Sequence, residues 1–520
     1  MLASLKVRNP LSAKADAELS VSLTPDETTS HSTKLSKDDS QVAGYEHVEA
    51  ARDKESRWNG EFKLIASIAL DLGTTSIKAG LLDQDGVLSN IVARPAPEII
   101  VTGGRYESDA LAYAATAEQV LNECLAQAGD CKSLGLCSQR SSFLIWERTS
   151  GQPLTPLISW QDNRGAASCE ALRAHEKSIR SLTGLPLTPY YFAPKLRIVL
   201  QDNPEWRARL ESGELRVGTL DTFLIWRWTG GKHHITDASM AARTLLMDIR
   251  QQQWSPALCN LFGIPAHILP QINASAGLNL QLDNGLILQA SVGDQSAALI
   301  ASVSVDPAEA LANLGTGCFV VRYLPEQKAR PDGYLQTLVY QDSAQHAHFA
   351  IEGTLNSIAA ALAPYPVGEC RFEDLALDDI FCLAEPSGLG APYFRSDMGI
   401  RFSQPVEYFS QRRIAVLLQE AVIFRVARIL EDFHRECAIE RVYLSGGLSE
   451  LICLQQGIAQ CVPFDVYRLA QGESSLKGAA LLATGMACHR KSARISIAGN
   501  PQALQRKYLR WKAWLDDLLV

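Results

Sequence analysis

The apolar positions of this chain form short runs separated by polar turns, with longer stretches of helical spacing between them. The first strong run, residues 64–70, is followed by a polar turn at 71–76 and a second apolar run at 77–82. This pattern predicts a β-hairpin with three consecutive hydroxyl side chains near its tip. It fits two structures equally: a plain hairpin with a polar tip, or a hairpin whose tip binds phosphate.

The tip of this hairpin carries the groups that a phosphate loop needs. Gly73 has no side chain, so a ligand can approach its backbone closely. Asp71, at the end of the first strand, is placed to hold Mg²⁺ through water. Hydroxyls and free backbone N–H groups suit phosphate oxygens, and a lysine adds positive charge. The residues expected to contact a nucleotide here are Asp71, Thr74, Thr75, Ser76 and Lys78.

A second hairpin of the same form is predicted at residues 312–321, where Gly315, Thr316 and Gly317 separate two apolar strands. Two such hairpins so far apart in one chain indicate two similar domains that face one nucleotide. Neither turn contains the Gly-Lys-Ser/Thr ending of a P-loop or the Gly-x-Gly-x-x-Gly of a dinucleotide-binding turn.

Asp294 stands at another strand end, after Gly293 and before an Ala-rich helical stretch. A carboxylate in this position can accept the proton of an attacking hydroxyl. Asp is also a preferred helix N-cap. The residues alone leave both roles open, and one carboxylate can serve both.

Polar residues follow two further predicted strands. The strand at 134–138 leads into Gln139 and Arg140, and a strand over 156–164 contains Trp160. Functional side chains commonly lie at the carboxyl ends of strands in α/β sheets. For Trp160 the alternative is simple core packing.

Glycines and helical patterns complete the α/β organisation. Gly446 and Gly447 follow a strand at 441–445 and would let the backbone pass against an adenine ring, although a strand-to-helix turn also needs glycine. Helices are predicted over the Ala-rich residues 110–126 and over the amphipathic residues 412–433 and 501–519.

Composition narrows the class of protein. A chain of 520 residues should contain at least two domains, and its 47% apolar content supports large cores. A net charge of −8 argues against nucleic-acid binding, and no apolar run reaches membrane-spanning length. The twelve scattered cysteines indicate a reducing, cytoplasmic compartment. Residues 1–60 lack apolar periodicity and are expected to be a disordered tail.

About eight motifs in order make the chain resemble the FGGY carbohydrate kinases, and glycerol kinases most closely. They include Thr-Gly-Leu-Pro-Leu-Thr-Pro-Tyr at 183–190, Thr-Asp-Ala-Ser-Met-Ala-Ala-Arg-Thr at 236–244 and Gly-Leu-Gly-Ala-Pro-Tyr at 388–393. The resemblance implies two ribonuclease-H-like lobes of the actin/sugar-kinase/Hsp70 superfamily around a nucleotide cleft, an N-terminal lobe over 61–302 and a C-terminal lobe over 303–520. It also implies phosphorylation of a small polyol or sugar with ATP and Mg²⁺.

The resemblance assigns roles residue by residue. The matching Asp, Asp294, is the catalytic base in the family. The residues expected to bind the acceptor substrate are Arg140, Ser141, Trp160, Tyr190, Asp294 and Gln295. Those expected to bind the nucleotide, besides the first hairpin, are Gly315, Thr316, Gly446 and Gly447.

Three departures from glycerol kinases stand out. Ser141 replaces an acidic residue that helps to hold glycerol, Leu451 replaces an amide that contacts the base, and residues 361–381 look shorter. We therefore expect a substrate somewhat larger than glycerol, unless a water or another carboxylate, Glu107 or Asp109, replaces the missing acceptor.

Two other functions share this fold. One is a catalytically inactive nucleotide-binding regulator, against which the retained Asp294 argues. The other is an actin- or Hsp70-like ATPase, against which the Gln139–Arg140 and Trp160 motifs argue. The expected partners are small molecules, with no nucleic acid and no membrane, and the sequence leaves open whether the chain forms a homodimer.

Overall fold

The computed structural model describes residues 64–324, 332–470 and 472–520. The expected disordered tail, residues 1–60, lies outside these described residues. The predicted α/β organisation is present: strands and helices mix along the whole described chain.

Residues 64–302 form a six-stranded sheet, a five-stranded sheet and two two-stranded sheets, with flanking helices. The strands are β1 Ile65–Leu72, β2 Ser76–Asp83, β3 Leu88–Pro95, β4 Ile100–Thr102, β5 Arg105–Ser108, β6 Ser133–Ser138, β7 Phe143–Glu147, β8 Leu157–Ile158, β9 Leu215–Thr219, β10 Ile235–Asp237, β11 Met247–Asp248, β12 Gln253–Trp254, β13 Gln271–Asn273, β14 Ala276–Gln281 and β15 Ile287–Gly293. The helices are α1 Ala110–Leu125, α2 Ala166–Ala171, α3 Glu176–Thr183, α4 Phe192–Asp202, α5 Pro204–Glu211, α6 Leu220–Trp228, α7 Ala238–Ala241, α8 Pro256–Phe262 and α9 Asp294–Ser302.

Residues 303–520 form the second half. The strands are β16 Glu309–Leu314, β17 Cys318–Tyr323, β18 Leu335–Gln341, β19 Ala347–Leu355, β20 Cys382–Leu383, β21 Arg401–Phe402, β22 Arg441–Ser445, β23 Asp465–Leu469 and β24 Ser492–Arg494. The helices are α10 Ile358–Leu362, α11 Gln411–Glu436, α12 Ile452–Cys461, α13 Ser474–Thr484 and α14 Gln502–Leu519.

Two large sheets repeat one arrangement. The first has the order β14-β15-β6-β1-β2-β3, and the second has the order β18-β19-β17-β16-β22-β23-β24. In each, an antiparallel hairpin (β1–β2 or β16–β17) lies beside a parallel neighbour of its first strand. Both predicted hairpins are therefore present, each made of interior strands of its sheet.

The predicted strand over 156–164 is mostly wrong. Only Leu157–Ile158 is a strand, because the following residues form a turn in which Asp162 accepts hydrogen bonds from the backbone N–H groups of Tyr106 and Arg164. Residues 361–381 contain the end of α10 and two short 3₁₀ turns, Val367–Glu369 and Phe372–Asp374. The expected shortening of this segment relative to glycerol kinases stays a prediction.

Helix α13 comes late in the chain but packs against the first sheet. It contacts β1, β6, β15 and α9. A side chain on Gly478 would lie 1.8 Å from the backbone oxygen of Ala297 in α9, and one on Gly135 in β6 would lie 2.2 Å from the backbone oxygen of Ala479. These glycines allow backbone-to-backbone contact, which fixes α13 closely over β6. Among the described residues, no helix combines the length and apolarity needed to cross a bilayer.

Candidate active site

Three strands of the first sheet end side by side. Strand β6 is the parallel neighbour of both β1 and β15, and Ser138 is paired with Leu72 on one side and with Gly293 on the other. The loops that follow these strands, beginning at Gly73, Gln139 and Asp294, therefore emerge at one edge. This is the edge at which α/β sheets usually carry their functional groups.

Asp294 is the first residue of α9, and the N-cap position is occupied by Gly293. The Asp294 Oδ1 accepts the backbone N–H of Gln295 at 2.7 Å. Burial raises the pKa of Asp294, and the Arg140 guanidinium, 3.6 Å away, opposes the rise. Asp294 thus begins the helix, but its side chain does not cap it in the usual way, through the N–H groups two or three residues on.

A hydrogen-bond relay fixes the backbone just before Asp294. The Gly293 N–H donates to the Ser239 hydroxyl at 2.8 Å, and this hydroxyl donates to the Asp237 carboxylate at 3.1 Å. Asp237 also accepts the Ser275 hydroxyl at 2.6 Å. The motif at 236–244 therefore positions the backbone that leads into Asp294, because Asp237 and Ser239 both belong to this motif.

Arg140 and Gln295 lie together. The Arg140 Nη2 donates to the Gln295 Oε1, and the Arg140 side chain passes over Gly293, where a Cβ would lie 2.8 Å from its Cδ. Arg140 thus contacts both residues that flank the carboxylate along the chain, while its Nε faces Asp294 itself.

The Ser141 hydroxyl is directed towards the backbone of Arg243. Its backbone is left-handed, with a φ of 63°, and its buried hydroxyl donates to the Arg243 backbone oxygen at 2.9 Å. Of the suggested substitutes for the missing carboxylate, Glu107 accepts from Arg164, and Asp109 caps α1. A role for either in binding the acceptor stays a prediction.

Thr74 joins the two sides of the site. Its hydroxyl accepts the indole N–H of Trp160 at 2.9 Å and donates to the Gln139 amide oxygen at 3.3 Å. The Trp160 ring lies against Tyr190, with a centroid separation of 5.0 Å. Trp160 is half-buried at the site edge, so it is not part of the core.

Lys195 is a residue of the site that the sequence analysis did not single out. It is fully buried on α4, and its Nζ donates to the backbone oxygens of Ser141 at 2.9 Å and Ser159 at 2.8 Å. Burial lowers the pKa of Lys195 to about 7. It connects the Arg140 loop to the Trp160 loop. The available signal was a lysine in an apolar helical stretch.

Asp71 and Lys78 differ in whether their charged groups already have a partner. The Asp71 Oδ1 is buried and has no hydrogen-bond partner in the described structure. Burial, aided by the Asp294 charge, raises the pKa of Asp71 to about 7. The Lys78 ammonium, in contrast, pairs with Glu473 at 2.6 Å. Its charge is partly neutralised, so the expectation that it simply adds positive charge needs correction.

The donor set at Asp71 fits Mg²⁺. An orphaned carboxylate oxygen beside a second carboxylate suits a divalent cation, and Mg²⁺ typically takes one or two carboxylates together with water and phosphate oxygens. In the described ranges, three or more His, Cys, Asp or Glu side chains do not gather in any metal-binding cluster.

The two glycine turns of the second sheet also meet at one edge. Asn313, near the end of β16, is paired with Ser445 at the end of β22. Gly446 has a φ of 86°, and a Cβ there would lie 2.5 Å from the Leu314 backbone oxygen. Gly315, Thr316, Gly446 and Gly447 are thus neighbours, whereas in the described structure no hydrogen bond joins Thr316 to Thr74. Thr75 is exposed and Ser76 half-buried at the first hairpin.

Comparison with known proteins identifies the family of most of the described chain. Residues 66–301 match the model of the FGGY family of carbohydrate kinases, N-terminal domain, and residues 310–487 match that of the C-terminal domain. A glycerol kinase from Pseudomonas putida strain F1 is 30% identical over 81% of this chain and 88% of its own length. One from Xanthobacter autotrophicus is 31% identical over 81% of this chain and 90% of its own.

Solved structures agree on the fold. Plasmodium falciparum glycerol kinase with ADP has a TM-score of 0.79 at 22% identity, and a xylulose kinase from Brucella ovis has a TM-score of 0.75 at 20% identity. Each comparison covers 87% of this chain and 98% of the other chain. The predicted two-lobe fold class is confirmed.

Proposed function

Because the chain belongs to the FGGY family of carbohydrate kinases, we propose that it transfers the γ-phosphoryl group of ATP to a hydroxyl of a polyol or sugar larger than glycerol. Family membership establishes an ATP-dependent sugar or polyol kinase. The identity of the acceptor, the role of each residue and the lobe boundaries at 61–302 and 303–520 belong to the proposal. No comparison supports an inactive regulator or an actin- or Hsp70-like ATPase.

Asp294 is the proposed base. Phosphoryl transfer to an alcohol needs positioning and charge stabilisation more than covalent chemistry from the protein. Asp294 accepts the hydroxyl proton as the bond to phosphorus forms. The Arg140 guanidinium lies beside the Asp294 carboxylate. The side chains of Gln295, Trp160 and Tyr190 enclose the acceptor.

The nucleotide lies across the two hairpins in this proposal. Thr74, Thr75 and Ser76 contact phosphate from one side, and Gly315 and Thr316 from the other. Gly446 and Gly447 pass against the base. Asp71 would hold Mg²⁺, which supplies charge neutralisation for the phosphate oxygens when it is bound. Closure of the lobes excludes water and limits wasteful ATP hydrolysis.

The observation that carries the proposed substrate size is the hydrogen bond of Ser141 to the Arg243 backbone. A substrate as small as glycerol needs strong bonds to each hydroxyl. Here the residue beside Arg140 offers no carboxylate, and its hydroxyl is buried against the Arg243 backbone. A glycerol hydroxyl would lack an acceptor there, which costs affinity.

One assay tests this proposal: ADP release by the full chain with glycerol and with four- and five-carbon polyols and ketoses. We expect substrate-stimulated release with higher kcat/KM for the longer acceptors. Glycerol as the best acceptor by about tenfold, equal to about 1.4 kcal/mol, would contradict the proposed size. Basal turnover without stimulation would favour the ATPase alternative, and binding without turnover would favour the regulator.

We also propose a reducing compartment such as the cytoplasm. All twelve cysteines are free, and eight of them are buried as small apolar residues.

A further inference from the structure

A cavity opens between α9 and the second large sheet, next to the proposed acceptor site. Arg140 and Gln295 line it from the first half, and Phe319, Thr337 and Glu352 line it from the second. Its volume of about 90 Å³ exceeds several times the roughly 10–15 Å³ that one water needs on this measure. It can therefore hold more than one hydroxyl-bearing carbon.

Glu352, on β19, presents a carboxylate to this cavity that the described structure leaves without a hydrogen bond. Its side chain is 7% exposed, and its closest cation is Arg243, with Nη2 and Oε2 3.7 Å apart. This distance is too long for a hydrogen bond. A buried carboxylate without hydrogen bonds is costly, so Glu352 has unused accepting capacity.

Arg243 is the complementary group. Its side chain is 8% exposed, and its Nη1 is buried with no hydrogen-bond partner in the described structure. Its backbone oxygen accepts the Ser141 hydroxyl, so Arg243 is attached to the acceptor loop. Its charge also acts on the Asp294 carboxyl and on Tyr190, which places the guanidinium among the acceptor residues.

We infer that Glu352 and Arg243 form a second acceptor–donor pair, which binds substrate hydroxyls remote from the one that is phosphorylated. A hydroxyl placed between them can donate to the carboxylate and accept from the guanidinium, which satisfies both groups. The pair supplies the kind of contact that Ser141 no longer makes, but deeper in the cleft. This inference rests on the proposed function and names a neutral acceptor with hydroxyls beyond its third carbon.

The charges around the site favour a neutral acceptor. Two guanidiniums, those of Arg140 and Arg243, face two carboxylates, those of Asp294 and Glu352. Glu352 already balances the charge of Arg243, so a substrate carboxylate at the far end would add an uncompensated negative charge to a buried site. An acidic sugar is therefore disfavoured relative to the corresponding polyol or ketose.

The competing interpretation is that this ion pair only holds the two halves together. Arg243 comes from the first half of the chain and Glu352 from the second. If the ion pair only joined the two halves, its removal would lower the activity on every substrate equally. If the pair binds a substrate hydroxyl, its removal lowers the activity only on substrates that reach it.

The test compares Glu352→Gln with the parent protein in two measurements. The first is kcat/KM on glycerol and on the best longer acceptor. The second is binding of that longer acceptor by calorimetry, which does not need turnover. We expect a loss of about ten- to a hundredfold on the longer acceptor, mostly in KM, and less than about threefold on glycerol. Glu352→Asp, which withdraws the carboxylate by one methylene, should lose affinity in the same direction.

Gln252→Ala is the matched control. The Gln252 side-chain oxygen accepts from the Gln341 amide at 2.7 Å, a hydrogen bond between the same two halves, but neither residue lines the cavity. Gln252→Ala should leave the ratio of kcat/KM on the longer acceptor to kcat/KM on glycerol unchanged.

The outcomes separate this inference from the proposed function. An equal loss on all substrates with Glu352→Gln, or tighter binding of a sugar acid than of its neutral polyol, overturns the inference while the kinase activity stands. Weakened calorimetric binding by Glu352→Gln without turnover in either protein supports the inference and overturns the proposed function.

Discussion

The indole N–H of Trp160 donates a hydrogen bond to the Thr74 hydroxyl at 2.9 Å. This single contact joins the loop expected to hold the acceptor to the hairpin expected to hold phosphate. A change in the position of one loop therefore acts directly on the other loop.

Trp160→Phe should weaken this connection. Phenylalanine keeps an aromatic ring at this position, but the Thr74 hydroxyl loses the indole N–H donor. We expect kcat/KM for the acceptor to fall by about two- to tenfold, the usual range for one neutral hydrogen bond. Steady-state kinetics measure the effect, and Trp228→Phe, which removes a hydrogen bond to Glu118 outside the site, is the control. Equal effects of both changes would show that Trp160 acts only through packing.

Asp294→Asn should remove the proposed base at constant size. Turnover should fall by about 10²–10⁴-fold, and ATP affinity should change little because the carboxylate acts on the acceptor. Rapid-mixing measurements of the first turnover, with ATP binding by calorimetry, check both parts. If Asp294→Asn turned over normally, Asp294 would be only the first residue of α9.

Gly315→Val should block phosphate binding without disturbing the hairpin. A Cβ there meets nothing closer than the Gly317 oxygen at 3.8 Å, so the added methyls enter open space. ATP affinity should fall at least tenfold with a melting temperature within a few degrees of the parent. Gly73→Val also places a Cβ 2.6 Å from the Ser76 oxygen and should lower stability as well. Unchanged ATP affinity in both variants would remove the claim of one shared nucleotide.

Stability should depend on pH through Asp71. Its folded pKa of about 7 lies above the ordinary aspartate value, so folding takes up a proton between those two values, and stability falls as pH rises towards about 7. Mg²⁺-ADP should reverse this loss by neutralising the charged carboxylate. The thermal shift caused by Mg²⁺-ADP should therefore be larger at pH 8 than at pH 6.

Asp71→Asn provides the comparison for this pH effect. The amide cannot titrate, so the difference between the two shifts should shrink. An identical difference in Asp71→Asn would place the titrating group elsewhere.

Lys195→Met should loosen the acceptor site. The change leaves two buried carbonyl oxygens, those of Ser141 and Ser159, without their donor, and each such loss costs about 1–3 kcal/mol. We expect a raised acceptor KM, an unchanged ATP KM and a lower melting temperature. Lys177→Met, at an exposed lysine, is the control. A lower melting temperature with an unchanged acceptor KM would make Lys195 purely structural.

Local sequence patterns predicted the parts of the fold that depend on neighbours in the chain. The two hairpins, the helix Gln411–Glu436 and the helix Gln502–Leu519 follow from apolar spacing. The strand around Trp160 was overpredicted, because apolar residues before it resemble a strand while the side chain of Asp162 organises a turn.

The candidate site was predictable only where a residue sits at a strand end. Asp294 and Arg140 meet that condition. The roles of Lys195, Arg243 and Glu352 could not be predicted, since each depends on contacts between distant segments. The orientation of Ser141 could not be predicted either, because its left-handed backbone and its bond to Arg243 arise from tertiary structure.

The position of α13 has a consequence for the order in which the protein folds during synthesis. The ribosome releases the first sheet early, but the helix that covers β1 and β6 is not complete until residue 484 has been made. Chains generally begin to fold from the N-terminus as they emerge. Here the apolar face of an early sheet must stay exposed while most of the second half is translated, so a truncated first half would be prone to aggregate.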